Sequence, residues 1–517
     1  MKMVKSLILG SAAGLIAMSG AQAADLPVKA KAVEYVRICS LYGAGFYYIP
    51  GTDTCIKLGG YLRAEASFNA SGLYNSNLSG QQGAQNRLTN YYFTRAREDL
   101  NIDTRTATEY GVVRTYFDAT FSWTTPSYAG NGLGGTFSSA AAQAGGFGGV
   151  GNPSDGGIAG GSLGVYHAFI QFAGLTMGKT ISQFDAPWVN YPGNNFDGLV
   201  GGSGTVTGVG QLTYTAQFGN GVSAAFSLQD PTGYTQSNLF NASAGIFTAA
   251  SFAGSAFGAN DLGGTRAPDI IGVLKADQAW GIFQLSAVAH DNHAAYYGGF
   301  EPSGHPDDKW GWAVQASLQI KNIPTGAGDT FNIQAVYTDG ATRYNLSSLV
   351  GQNFAMFGGT SLPGAYQSVA LAAAADGVFA AGTGIDTVQT WGLRGAFNHN
   401  FDPYWSGAIY GAYAQINYQG AATAIICNAI AGFGAPTAGI TTCNPDFNIA
   451  QVGGIIRWTP VKNLTFSADV AYTHLDQKFV GTIAPAAGLA GVAKPAAVYQ
   501  LKDQDTVGLL IRAQRNW

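Results

Sequence analysis

The sequence predicts an all-β chain, a transmembrane antiparallel β-barrel of about sixteen strands with short periplasmic turns and long extracellular loops. Three observations carry that prediction. Apolar and polar residues alternate one by one in segment after segment, short and long connections alternate between the segments, and aromatic residues gather where segments meet turns. Composition agrees by exclusion. Of 517 residues, 46% are hydrophobic and only 11% charged, with a formal net charge of -4. Soluble chains carry roughly 25% charged residues, and a mildly acidic balance is the opposite of the clustered basic surface that nucleic acid requires. No run of about 20 apolar residues is present to make a membrane helix.

At the N-terminus, Lys2 and Lys5 precede an apolar stretch from Leu7 to Met18, and Ala21-Gln22-Ala23 supplies small residues at the positions signal peptidase accepts. Residues 1–23 are therefore expected to be an export signal, residues 24–54 a periplasmic N-terminal segment, and residues 55–517 the barrel. An oxidising compartment fits the four cysteines, Cys39, Cys55, Cys427 and Cys443. Three pairings are open to them. Sequential pairing would close two short loops, each contributing about 3 kcal/mol by chain entropy, and no spacing suggests zinc.

The strands follow in order. In Ile56 to Phe68, Ile56, Leu58, Leu62, Ala64, Ala66 and Phe68 share one face, and Lys57, Tyr61, Arg63, Glu65 and Ser67 the other. That is a strand with one side for lipid and one for water. The same parity recurs at Val113 to Phe121, Trp312 to Lys321, Phe331 to Thr338, Leu464 to Tyr472 and Thr506 to Gln514. After the signal peptide no segment shows a comparable helical stripe. Tight connections such as Ala173-Gly174, Gly219-Asn220-Gly221 and Val461-Lys462-Asn463 alternate with long Gly/Ser/Ala/Asn-rich stretches, among them Gln183 to Val209, Ala341 to Thr387 and Gln419 to Asp446. A sandwich has no reason to sort its connections this way, whereas an outer-membrane barrel does so by construction. Trp280, Phe401, Tyr404, Trp405, Trp458 and Trp517 mark an inner girdle, and Tyr296, Tyr297, Trp310 and Tyr418 an outer one. Glu98 breaks the pattern by falling on the lipid parity beside Ala96 and Leu100. It is expected either to face a subunit interface or to mark a bulge that shifts the register.

Residues 24–63, ADLPVKAKAVEYVRICSLYGAGFYYIPGTDTCIKLGGYLR, together with the closing IRAQRNW, resemble the rhizobial-type alphaproteobacterial outer-membrane porin family, whose hallmark is the CSLYGAGFYYIPGTDTCIKLGGY block. What the resemblance implies is a sixteen-stranded, trimeric general-diffusion porin whose third loop folds inward as a constriction. It implies outer-membrane lipids and small hydrophilic solutes and ions as partners, and neither cofactor nor metal. Trp517 resembles the terminal aromatic residue that outer-membrane assembly reads.

In such a pore the chemistry is the charge and width of the narrowest section. The third loop, about residues 183–209, contains Phe184, Tyr191 and two acids, Asp185 and Asp197, and its prolines and rings stiffen it. On the lumen parity of the early strands stand Lys57, Arg63, Arg95, Arg97 and Arg114, and on the last strand Arg512, which must neighbour the first if the barrel closes. Facing acidic and basic walls would set up a transverse field. Alternatively the arginines pair with Glu65, Asp99, Asp103 and Asp118, Arg114 with Asp118 foremost. Enzyme signals dissolve: Gly160 to Gly164 and Gly146 to Gly151 match a nucleophile elbow and a dinucleotide fingerprint without the strand and helix each needs. His290 and His293 read as a solvated pair at a strand end rather than metal ligands. A substrate-selective porin, for sugar or anion, is the nearest competing function; an outer-membrane barrel enzyme or an adhesin is more distant.

Overall fold

The computed structural model describes residues 37–69, 87, 91–124, 155–158, 161–243, 262–347, 353–431, 439–485, 488–489 and 494–517. The expected signal peptide and the fingerprint at 146–151 lie outside the described residues. Sixteen antiparallel strands close a barrel. They are β1 (Thr54–Phe68), β2 (Tyr92–Thr108), β3 (Gly111–Thr124), β4 (Gly161–Phe172), β5 (Leu175–Thr180), β6 (Val209–Gly219), β7 (Val222–Gln229) and β8 (Asp269–Asp277) in the first half. The second half is β9 (Gly281–Asn292), β10 (Lys309–Lys321), β11 (Thr330–Asp339), β12 (Asp386–Asn400), β13 (Trp405–Tyr418), β14 (Phe447–Val461), β15 (Leu464–Gln477) and β16 (Gln504–Asn516). Each strand pairs with the next, and β16 pairs with β1 from Tyr61↔Asn516 to Phe68↔Leu509.

Alternation builds the wall because consecutive side chains of a strand leave on opposite faces. Leu58, Leu62, Phe117, Phe121, Trp312, Val314, Val470 and Ile511 are exposed outward, while Glu65, Ser67, Gln315, Ser317, Asn332, Gln334, Ser467 and Asp469 are buried inward. Turn chemistry fixes the register. At Gly219-Asn220-Gly221 both Asn220 (φ 48°) and Gly221 (φ 71°) sit in the left-handed region, the I′ geometry whose twist matches that of paired strands. Around the periplasmic rim, Trp405 stacks on Trp458 at 6.0 Å and Trp458 on Phe466 at 5.6 Å. Tyr418 departs from the expected outer girdle: it is buried, and its hydroxyl donates to the Ala373 carbonyl at 2.5 Å.

Register shifts are absent from the pairings of β2 with β1 and with β3, so Glu98 lies opposite Leu62 and Phe121 on the outward face. The bulge explanation therefore falls. On its other side β3 does carry a shift, between Asp118 and Ala119 opposite β4. Both disulfides are sequential, Cys39–Cys55 and Cys427–Cys443. The first pins a small knob, Cys39 and Phe46 packed with Cys55, at the periplasmic end of β1.

The long loops correct the sequence reading. Residues 353–358, 367–373, 499–501, 480–483 and 440–442 form a five-stranded sheet, and a helix spans Gly420–Ala431. That helix escaped detection because Ala and Ile occupy eight of its twelve positions, which leaves too little of a polar face for contrast; Ala422, Ile426 and Ile430 are its buried edge. The sheet, the helix, the tip of the third loop (Phe196, Leu199, Val200) and inward residues of β13 to β16 (Tyr410, Ala412, Ile449, Leu475, Leu510) share one apolar cluster. One side of the lumen is thereby filled.

Candidate functional site

The third loop leaves β5 at Thr180 and returns at Val209, and in between it runs inside the barrel along the far wall. Inward side chains there hold it by its backbone. Gln284 on β9 donates to the Asp185 carbonyl at 2.9 Å, and Gln315 on β10 to the Phe184 carbonyl at 2.9 Å. Asn332 on β11 and Asn398 on β12 both donate to the Pro192 carbonyl, at 3.0 and 2.9 Å. Arg457 on β14 reaches the Gly193 carbonyl at 3.0 Å, and Asp469 on β15 accepts from the Asn195 amide at 2.6 Å. Arg512 on β16 donates to the Asn195 carbonyl at 3.1 Å. These amide and charged side chains are the lumen-parity residues of their strands, so the alternation that makes the barrel also supplies its clamps.

Two features of this seam were not singled out in the sequence. Arg394 on β12, only 2% exposed, threads its guanidinium into the loop: Nη2 donates to the Ser203 carbonyl at 2.5 Å and to Asn190 Oδ1 at 3.1 Å. Its signal was its parity, opposite to Trp391 and Leu393. Gly201 (φ +84°) lies so close to β12 that a Cβ would sit 2.4 Å from the Leu393 carbonyl oxygen. No L side chain fits that approach.

The predicted loop residues separate into two pairs. Phe184 and Asp185 are buried at the loop's root rather than presented to the lumen. Asp185 Oδ2 accepts from the Thr205 amide at 2.7 Å, from the Thr205 hydroxyl at 2.9 Å and from Asn190 at 3.2 Å, so this acid shapes the loop. Tyr191 is 37% exposed, and its hydroxyl donates to Asp197 Oδ1 at 2.6 Å. Between these two residues the Asn195 carbonyl accepts from Arg512 Nη2 at 3.1 Å. The tip of the loop thus faces the basic residues of β1 and β16.

Those residues form a connected array. Register places Glu65 opposite both Arg95 and Arg512. Arg95 Nη2 lies 2.5 Å from Glu65 Oε2, Arg512 Nε 2.5 Å from Glu65 Oε1, and Arg63 Nη1 3.8 Å from Glu65 Oε1. Arg114 does not pair with Asp118. It shares Asp103 with Arg105, at 3.0 and 2.8 Å, because the cross-strand neighbour of Asp103 is Tyr116 and the guanidinium reaches back diagonally. Arg97 donates from Nε to Ser122 at 2.9 Å and lies over the Tyr166 ring. Lys57 is exposed at the periplasmic end, 5.9 Å over the Phe46 ring of the knob.

His290 is not solvated. It is fully buried, with Nδ1 2.6 Å from Asp269 Oδ1 and Nε2 3.6 Å from Asp376 Oδ2, and the Tyr344 hydroxyl donates to the other Asp269 oxygen at 2.5 Å. The group ties the ends of β8 and β9 to the loop between β11 and β12. His293 pairs with Asp308 at 2.7 Å.

Comparison with known proteins agrees with this geometry. The porin subfamily profile matches residues 25–510. Porin Omp2b of Brucella suis is 30% identical over 366 residues, covering 65% of this chain and 84% of its own length. Its counterpart from Brucella abortus (strain 2308) is 30% identical over 368 residues, covering 65% of this chain and 85% of its own. In structure, the outer membrane channel DcaP of Acinetobacter baumannii superposes with a TM-score of 0.56 at 13% identity, over 91% of this chain and 99% of that one. A closed barrel with a loop clamped inside it and a family match over nearly its whole length lead to one conclusion: the chain belongs to the porin subfamily and is an outer-membrane porin channel.

Proposed function

We propose that the channel is a general-diffusion porin, passing small hydrophilic solutes and ions passively down their gradients. One observation carries the reading: the third loop is clamped along β9 to β16, while Tyr191 and Asp197 at its tip face Arg63 and Arg512. Solutes would cross between that tip and the wall carrying Lys57, Arg63, Arg95, Arg97, Arg114 and Arg512, in a transverse field that orders water and disfavours apolar molecules. Liposome swelling with sugars of graded size tests this. Uptake that falls off sharply with size is expected, and no uptake of any sugar would refute it.

The same reading gives residues 1–23 as the export signal, so that N-terminal sequencing of protein from outer membranes should begin at Ala24, ahead of a periplasmic segment to residue 54. It also gives a homotrimer embedded in outer-membrane lipid. Glu98 supports this, because a carboxylate on the lipid face is unfavourable by up to a few kcal/mol near the bilayer midplane and a partner subunit would relieve it. Subunit counting in mild detergent should show a trimer that Glu98→Lys weakens. A monomeric mass for the native protein would remove the interface.

A further inference from the structure

We propose that the wall formed by β1 to β4 makes this channel prefer small aromatic carboxylates among the solutes it passes. The inference rests on the reading of the chain as a passive channel and names the solute class its open wall fits. Rings line that wall where alternation leads one to expect polar groups. The Arg63 guanidinium lies 4.4 Å over Tyr61, Arg97 5.5 Å over Tyr166, and Arg114 5.1 Å over Tyr116 and 5.5 Å over Phe169. Tyr116 also contacts Phe169 at 5.4 Å and His167 at 6.2 Å.

The bulge accounts for the density of rings. Asp118 pairs with His167 and Ala119 with Val165, which leaves Tyr166 as the extra residue. Tyr166 then meets Arg97 while its neighbour His167 meets Tyr116, so two successive rings turn to the lumen.

Charge on this wall is unbalanced. The inward faces of β1, β2, β3 and β16 carry Lys57, Arg63, Arg95, Arg97, Arg105, Arg114 and Arg512 against Glu65, Asp99, Asp103 and Asp118. Glu65 is shared by three guanidiniums and Asp103 by two, and Arg97 has no carboxylate within 4.0 Å among the described residues. An incoming carboxylate can take two parallel hydrogen bonds from such a guanidinium. Its ring can stack, offset, on the neighbouring tyrosine, phenylalanine or guanidinium plane. A sugar carries neither a charge to pair with these guanidiniums nor a π-face to stack on their planes. An inorganic anion would gain the charge term alone.

The test uses the whole channel in planar bilayers with potassium chloride. A channel that fails to conduct at all would overturn the porin reading itself, independently of the solute class. In a conducting channel, benzoate should reduce the current at a concentration about two- to fivefold lower than cyclohexanecarboxylate, the margin expected of one ring contact. Benzamide, which has the ring without the charge, should not block. Phe169→Leu should narrow the margin, as should Tyr166→Leu if the first variant does not fold. Equal potency of the two carboxylates, block by benzamide as strong as by benzoate, or a margin unchanged in the ring variants would overturn the proposal.

Discussion

Along β9 to β14 the inward side chains Gln284, Gln315, Asn332, Gln334, Arg394 and Gln451 are almost wholly buried, because each is hydrogen-bonded to the third loop, the first five as donors and Gln451 as acceptor from the Val200 amide; along β2 and β3 the side chains of Arg105 and Arg114 remain 29% exposed. Both walls are products of the same alternation and differ in what faces them. Amides and small residues permit backbone to lie flush, as at Gly193, whose Cβ would meet Ala396 and Ala408 at 2.8 Å. A lone guanidinium such as Arg394 can be met by loop carbonyls, but covering a cluster of guanidiniums and carboxylates with backbone leaves part of its charge unmatched, and that burial costs more than the contacts return. The difference teaches that the loop lies against the wall it can desolvate cheaply, which is why the proposed solute route runs beside the other.

The strongest way to break this contrast is to lift the loop from its wall. Gly201→Val puts a side chain into the Leu393 carbonyl at a left-handed position, so it should cost several kcal/mol of loop attachment and raise the size cutoff in liposome swelling. An unchanged cutoff would show that the clamp is dispensable. Arg394→Met should act in the same direction more weakly, removing charged hydrogen bonds of about 1.5–3 kcal/mol in total effect. Next comes the open wall. Neutralising Arg95 and Arg97 together removes two charges; one unit charge at 4 Å in water contributes about 1 kcal/mol, so anion occupancy should fall roughly fivefold for each charge that close to the ion path. The reversal potential in a salt gradient should move toward cations, with Arg97→Gln accounting for most of it, since Arg95 is already matched by Glu65. A larger effect of Arg95 alone would invert that ranking. Smallest is Asp197→Asn, which weakens one exposed hydrogen bond with Tyr191 by about 1 kcal/mol. Open-channel noise should increase slightly, and the reversal potential should move toward anions by less than Arg97→Gln moves it toward cations, because the Asp197 carboxylate stands on the loop beside several guanidiniums.

Much of this was legible without coordinates, and for a local reason. Parity is set by adjacent residues, so the lumen side of Lys57, Arg63, Arg95, Arg97, Arg114 and Arg512, and the outward side of Glu98, follow from the pleat alone. The closure of β16 on β1 followed from counting. Arg114 shows where that reasoning stops: its partner Asp103 is chosen by cross-strand register and side-chain reach, neither of which alternation encodes. Asp185 and Asp197 carry the same charge in the same loop, yet one is folded into the loop and the other faces the lumen, because a turn and the Thr205 amide claim the first.

The sequence by itself determined that this is a barrel, which face of each strand meets water, how its connections are sorted, and that its long loops are built mostly from Gly, Ala, Ser and Asn. Only the tertiary structure decided that the loops build a sheet and a helix, that His290 is buried between two aspartates, and that one side of the lumen is packed with the third loop and its neighbours. The physical reason is one of range. Period-two alternation is a property of neighbouring residues and survives in any context, whereas the fate of a Gly- and Ala-rich loop depends on which distant apolar surface it can cover.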